Sequence, residues 1–171
     1  MKIDWQVPTP RDGWRGQLDR FIGPKATPLE SGLQLVVPLL AAISVWIWAP
    51  PWSTLQLLLA IVLAADLAGG IVTNATASAK RWYHRQGQGK RQHLSFIALH
   101  FVQLTLFSAV FLDFDFSWIA ISGGYLMLAS VLIVSAPLYL QRPIAMSLFA
   151  MGLMLSEYWL IVPQGLEWFL P

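Results

Sequence analysis

Five apolar stretches, each close to 20 residues long, constrain this chain more than any other feature of its sequence. They lie at about 28–49, 54–79, 93–112, 117–140 and 143–163. A helix needs about 20 apolar residues to cross roughly 30 Å of hydrocarbon. Only 12% of the residues are charged, whereas a soluble domain carries about 25%. The sequence therefore predicts an all-α fold, a membrane bundle of five transmembrane helices, and excludes an ordinary soluble enzyme or a disordered chain.

Capping residues mark where these helices begin. Thr27-Pro28-Leu29-Glu30 is a capping box with proline at the first helical position, and Ser53-Thr54-Leu55-Gln56 is a second box. Asp115 or Ser117 is suited to cap the fourth span. Gln141-Arg142-Pro143 is expected to end the fourth span and begin the fifth.

The segment 1–27 differs from the spans and is predicted to be a cytoplasmic N-terminal segment. Trp14, Leu18, Phe21 and Ile22 recur at helical spacing, and Gly23-Pro24 follows them. This pattern is typical of a short amphipathic helix that lies on the membrane surface; the alternative is an irregular polar tail. Residues 28–163 form the transmembrane domain, and residues 164–171 are predicted to be a short external C-terminal tail.

The basic residues predict the orientation of the bundle. In a five-span arrangement all 11 Lys and Arg residues fall on one side. The positive-inside rule then places the N-terminus in the cytoplasm and the C-terminus outside, which suits a bacterial inner membrane. A net charge of +2 is too small to suggest nucleic acid as a partner. We expect membrane lipids, and a membrane-protein partner or a second copy of the chain, instead.

Asp66 and His100 are the main candidates for chemistry. Asp66 lies about 16 Å from the outer end of the second span, and His100 lies about 18 Å from the outer end of the third. A carboxylate at this depth costs about 2.5–3.5 kcal/mol, so Asp66 must face protein or water, or stay protonated. An Asp–His pair at one depth suits acid–base catalysis. The alternatives are a structural polar pair, or a His100 bonded to a backbone carbonyl.

Small and polar residues follow Asp66 along the second span. Gly69, Gly70, Thr73 and Asn74 extend its face toward the cytoplasm, and this face is predicted to form the wall of a cleft. Asn74 and His93 match in depth, as Asp66 and His100 do, so both are candidates to orient a substrate. Separately, a stripe of alanines spaced by four should let a neighbouring helix approach closely. The stripe consists of Ala60, Ala64 and Ala68.

The loop between the second and third spans is rich in basic side chains. Its candidates for binding an anionic head group are Lys80, Arg81, His84, Arg85, Lys90 and Arg91. Such a cluster suits a phosphate or a carboxylate. The alternative is that Lys, Arg, Trp82 and Tyr83 only mark the cytoplasmic membrane boundary.

Glu157, in the fifth span, is a possible second carboxylate of the same cavity, or a hydrogen-bonded residue near the outer interface. The chain has no cysteine and 3 histidines, so we expect no metal site and no cofactor.

Three functions remain compatible with this pattern. The first is a membrane-embedded enzyme that acts by acid–base chemistry on a lipid or isoprenoid substrate with an anionic head group. The second is a non-catalytic subunit or scaffold of a larger membrane complex. The third is a small proton-coupled carrier.

Overall fold

The computed structural model describes residues 6–169. Helix makes up 76% of it, and the described residues contain no strand. The α-helices, in chain order, are α1 (Gly13–Ile22), α2 (Pro28–Trp48), α3 (Thr54–Ala75), α4 (Ala77–Tyr83), α5 (Lys90–Ala98), α6 (His100–Phe111), α7 (Phe116–Ser135) and α8 (Leu138–Tyr158), and a 3₁₀ turn covers Glu167–Phe169. Five segments are long and apolar enough to cross a membrane: α2, α3, α5 with α6, α7 and α8. The predicted fold class is confirmed.

The predicted caps are present. In the first box the Thr27 amide donates to Glu30 Oε2 (2.8 Å) and the Glu30 amide donates to Thr27 Oγ1 (3.2 Å). The Ser53 amide donates to Gln56 Oε1 (2.9 Å) at the start of α3. Asp115, rather than Ser117, caps α7, because its Oδ1 accepts the Trp118 amide.

The second span ends earlier than the sequence predicts. It stops at Ala75, and Thr76 takes an extended conformation (φ −71°, ψ 151°) and begins the separate helix α4. The Thr76 hydroxyl donates to the Thr73 carbonyl (2.8 Å) and accepts the Ala79 amide (3.3 Å). A threonine that bonds the backbone in this way favours a helix end over a helix interior. The expected continuation of the span to residue 79 is wrong.

The boundary before the last span also differs from the prediction. The break falls at Ala136-Pro137, so Gln141, Arg142 and Pro143 lie inside α8 instead of between two helices. Ala136 takes the extended conformation (φ −71°, ψ 149°) that a following proline imposes. The sequence predicted that the last span begins at Pro143, whereas the helix begins directly after Pro137.

The third span contains an interruption that the sequence did not predict. It begins at Lys90, and Leu99 separates α5 from α6. The Leu99 amide donates to the Phe96 carbonyl (3.1 Å) and the Val102 amide to the Leu99 carbonyl (3.0 Å). These i→i−3 bonds tighten the helix locally, next to His100.

The chain divides into two compact units. The first contains residues up to 47 and 61–88, and the second contains 48–60 and the residues from 89 onward. In the first unit α1 packs on α4. In the second unit α7 lies against α5, α6 and α8. A Cβ on Gly123 of α7 would lie 2.4 Å from the Phe101 ring, so α6 and α7 approach closely at this glycine.

The segment after α8 folds back onto the second unit instead of extending from it. Phe169 stacks on Phe107 with ring centroids 4.0 Å apart, and Phe107 stacks on Trp118 at 5.1 Å. Gly165 (φ +88°) lies against Pro50, at the corner between α2 and α3. The corner, the α6–α7 ends and the C-terminal segment therefore lie at one end of the second unit. These are the segments that carry no Lys or Arg.

Candidate functional site

Asp66 lies on the outer surface of α3. Its side chain is exposed, as are Val62 and Leu58, which lie four and eight residues earlier and are 62% and 57% exposed. Residues at this spacing share one face of a helix. Asp66 therefore continues an exposed apolar face in the middle of a membrane-spanning helix.

The small and polar residues that follow Asp66 do not form one continuous exposed face of α3. Gly69 packs against α2, where an added Cβ would lie 3.3 Å from the Pro38 ring. Thr73 is buried, whereas Asn74 is exposed. The predicted cleft wall stays a prediction, and α2 lies against it at Gly69 while Gly70 meets open space. Within the alanine stripe, Ala60 and Ala64 are buried, as a close helix contact requires, and Ala68 is half-buried.

His100, the first residue of α6, bonds the last turn of α5 within the third span. Its Nδ1 lies 3.0 Å from the Ile97 carbonyl oxygen, and its ring meets Phe96 edge-on at 5.8 Å between centroids. This contact corresponds to the alternative in which His100 bonds a backbone carbonyl. Asp66 belongs to the first unit and His100 to the second, so their pairing stays a prediction. The same holds for Asn74 and His93, which is half-buried.

A buried amide lies at the same α2 surface, and the sequence analysis missed it. Both polar side-chain atoms of Gln34 are buried and have no hydrogen-bond partner within residues 6–169. Gln34 precedes Pro38 by one helical turn, so it lies on the α2 face that meets Gly69. A helical wheel places Gln34 beside Pro38 in an otherwise apolar span, and this pattern could have indicated a buried polar group.

The basic side chains of α4 and the neighbouring segments differ in their exposure and in their contacts. Lys80 and His84 are exposed and Arg81 is half-buried. Arg85 covers the Trp82 ring at 3.6 Å and donates to the Trp82 carbonyl. In the second unit, Lys90 and Arg91 are exposed in the first turn of α5. Whether these side chains bind one anion stays a prediction, and Arg85 already has an aromatic partner.

Glu30 and Ser78 join α2 to α4. The Glu30 Oε1 accepts the Ser78 amide (3.1 Å), while Oε2 accepts the Thr27 amide, so one carboxylate caps two helices. Ser78 is fully buried, and its hydroxyl donates to the Ile22 carbonyl at the end of α1 (3.1 Å). The sequence shows the capping box, but only the fold shows its second partner.

Tyr83 joins α4 to α1. Its hydroxyl donates to the carbonyls of Phe21 (2.9 Å) and Arg20 (3.2 Å), which are carbonyls left over at the end of α1. Burial raises the pKa of Tyr83, which keeps the phenol protonated and able to donate. From the sequence, Tyr83 was expected only to mark a membrane boundary, and no local pattern indicated this contact.

The segment before α1 folds onto that helix. Arg11 forms an ion pair with Asp19 (2.6 Å), and the Arg11 amide donates to Asp19 Oδ2 (2.8 Å). Asp19 is 3% exposed. The hydrogen bonds from Arg11 hold the pKa of Asp19 below its ordinary value.

We expect this N-terminal contact to be lost in acid. Because the pKa of Asp19 is lower in the folded state, its contribution to stability is present above the ordinary pKa and disappears as the pH falls through the folded one. Amide hydrogen exchange should therefore show Arg11 losing protection below about pH 4. Asp19→Asn should lose the same protection at pH 7, and Asp12→Asn, whose acid is exposed, should not. A protection factor at Arg11, measured relative to the intrinsic exchange rate at each pH, that stays constant from pH 7 to below pH 4 would contradict this expectation.

Glu157 lies at the end of α8, one residue before its last, and its side chain is exposed. Its place in a shared cavity stays a prediction. Within residues 6–169, no group of three or more His, Asp or Glu side chains is arranged to hold a metal ion.

No protein-family model, curated protein sequence or solved structure matches this chain.

Proposed function

We propose that this protein is a non-catalytic subunit of a larger membrane assembly, and that the Asp66 face of α3 is its contact with a partner helix. The observation that carries the proposal is the exposure of Asp66 in the middle of a spanning helix. A carboxylate that faces lipid costs about 2.5–3.5 kcal/mol on insertion scales. A neighbouring helix with a hydrogen-bond donor at the same depth removes this cost.

The packing of the spans supports the same proposal. Every residue of α2 and α8 is exposed or half-buried in the single chain. Each of these helices can face lipid on one side and contact a partner helix on another. The Glu30 and Ser78 side chains bond within the chain, and the Asp66 side chain is exposed on α3.

The membrane placement is part of the proposal. The three segments without Lys or Arg face the outside of a bacterial inner membrane, and the N-terminus is cytoplasmic. In this arrangement α1 lies along the cytoplasmic surface as an amphipathic helix and binds lipid. The chain has no cysteine, so single-cysteine variants at Gln17 and Gln164 and an impermeant maleimide test it. Labelling of position 17 in intact cells would contradict it.

Replacing Asp66 with leucine tests the partner contact. We expect Asp66→Leu to weaken association about tenfold, because an interhelical hydrogen bond contributes roughly 1–2 kcal/mol in model peptides. The measurement is the mass of the assembly by light scattering in mild detergent, together with the stoichiometry of any second chain. The separated chain should keep its helix content and unfold at a higher temperature than the wild type.

Val62→Leu is the matched control, because it changes the same exposed face one turn away and alters no polar group. It should leave the mass of the assembly unchanged. A wild-type protein that is monomeric in mild detergent, or an Asp66→Leu variant that associates normally, would overturn the proposal.

The enzyme and carrier hypotheses stay predictions. Both require Asp66 to act within a site for a substrate or for protons. The observed contact of His100 Nδ1 is with the Ile97 carbonyl of α5, in the same span. The subunit hypothesis requires Asp66 but makes no use of His100.

A further inference from the structure

The two sides of α1 are arranged in the opposite way to those of a helix on a soluble core. Its covered side is small and polar, since the buried residues are Gly16 and Asp19. Its apolar residues face outward: Trp14 is 72%, Leu18 41% and Phe21 66% exposed. Gly16 is needed on the covered side, where a Cβ would lie 1.9 Å from the Arg11 carbonyl oxygen.

The fold holds α1 firmly on α4. Gly23 (φ +89°) meets the Ser78 backbone, and the Tyr83 hydroxyl donates to two carbonyls at the end of α1. The outward apolar side of α1 is therefore not a consequence of a loosely attached segment. Contacts at the end of α1 hold the helix on α4.

Exposed charge on these two helices is mostly basic. Arg15 lies over the Trp14 ring at 5.5 Å, and on α4 Lys80 is exposed and Arg81 is half-buried. Asp19 bonds Arg11, and Glu30 bonds backbone amides, so neither acid faces outward. Asp12, which precedes α1, is an exposed acid of this region.

The ends of the spans place these helices near lipid head groups. The first span begins at Pro28, six residues after α1 ends, and a linker of this length reaches at most about 20 Å. The second span ends at Ala75, two residues before α4 begins. Apolar and basic side chains at this level match the acyl boundary and the phosphates of a bilayer.

We propose that Trp14, Arg15, Leu18 and Phe21 of α1, together with Lys80 and Arg81 of α4, form a binding surface for anionic phospholipid head groups, here named the α1–α4 surface. The apolar side chains enter the acyl boundary, and the basic ones pair with phosphate oxygens. The inference rests on the proposed position of α1 along the membrane, which the cysteine-labelling experiment tests separately. It does not depend on Asp66.

Titration of the detergent-solubilised full chain with phosphatidylglycerol tests the proposal, with the thermal unfolding midpoint as the readout. We expect phosphatidylglycerol to raise the midpoint and phosphatidylcholine to raise it much less. The double substitution Arg15→Gln with Lys80→Gln should weaken the apparent affinity for phosphatidylglycerol about 30-fold. Inorganic phosphate should have no effect, because the site needs the acyl chains as well as the charge.

Lys25→Gln with Arg142→Gln is the matched control, because it removes two exposed basic charges that lie outside the α1–α4 surface. It should keep most of the wild-type affinity. Equal losses in both double variants, equal stabilisation by phosphatidylcholine, or stabilisation by phosphate alone would each overturn the proposal. If the Arg15 and Lys80 variant does not fold, the wild type is titrated in low and high salt. An affinity that does not fall with salt would then overturn it.

Discussion

Gly23→Ala is expected to detach α1 from α4 and to destabilise the protein by about 4 kcal/mol. Gly23 has φ +89°, which L-residues rarely adopt, and an added Cβ would lie 2.3 Å from the Ser78 carbonyl carbon and 2.5 Å from the Ala79 nitrogen. These atoms belong to a backbone held by the Glu30 and Ile22 contacts, so they cannot move without breaking those bonds. The free energy of unfolding in detergent, and protection of the Gly23 region from proteolysis, measure the loss.

Gly87→Ala is the matched control for this prediction. Gly87 has nearly the same backbone angle (φ +86°), but an added Cβ meets nothing within 4 Å. It should therefore cost only the conformational strain, about 1 kcal/mol. Equal costs at the two glycines would show that the close contact with Ser78 contributes nothing.

Glu30→Ala is expected to lower the free energy of unfolding by about 3 kcal/mol and to destabilise the starts of α2 and α4 together. Its carboxylate accepts amides at the start of both helices, Thr27 at 2.8 Å and Ser78 at 3.1 Å. Removal of an N-terminal cap costs about 1 kcal/mol, and each buried amide left without an acceptor costs roughly 1–3 kcal/mol. Glu30→Gln should recover part of the loss, because its single carbonyl oxygen can accept one of the two amides. Unfolding free energy and amide exchange at Ser78 measure the effect.

Gln92→Ala provides the comparison. Gln92 occupies the same capping position at the start of α5, accepts the Gly89 amide (3.0 Å) and is exposed. One exposed cap contributes about 1 kcal/mol or less. If Glu30→Ala costs no more than Gln92→Ala, or if Ser78 exchange is unchanged, Glu30 does not join the two helices.

Much of the helical framework could be predicted from local sequence. The five spans follow from apolar length, and the Thr27, Ser53 and Asp115 caps follow from residue types that bond the first amides of a helix. Errors occurred where two local signals compete. Both Pro137 and Pro143 can begin a helix, and α8 begins after the first of them. Thr76 ends α3 within a stretch whose composition would also suit a longer helix.

The residue types of the candidate site could be predicted from the sequence, but the directions in which its side chains face could not. A charged residue in a span is visible in the sequence, and Asp66 was found in this way. Which side of α3 is covered depends on where α2 crosses it, at Pro38 and Gly69. The unpartnered Gln34 amide and the second role of Glu30 also depend on that crossing. A helical wheel of one segment contains no information about its neighbour.

By itself, the sequence determined that this chain is helical and that five segments can cross a membrane, and it predicted that the basic residues lie at one set of helix ends. The length and hydropathy of each segment determine these properties, since an apolar segment in lipid must satisfy its own backbone hydrogen bonds. The tertiary structure decided that Asp66 is exposed, that the apolar side chains of α1 are exposed, and that the C-terminal segment packs on Phe107. These outcomes require contacts between residues far apart in the chain, such as Ile22 with Ser78 and Phe107 with Phe169. Only the packed chain brings those residues together.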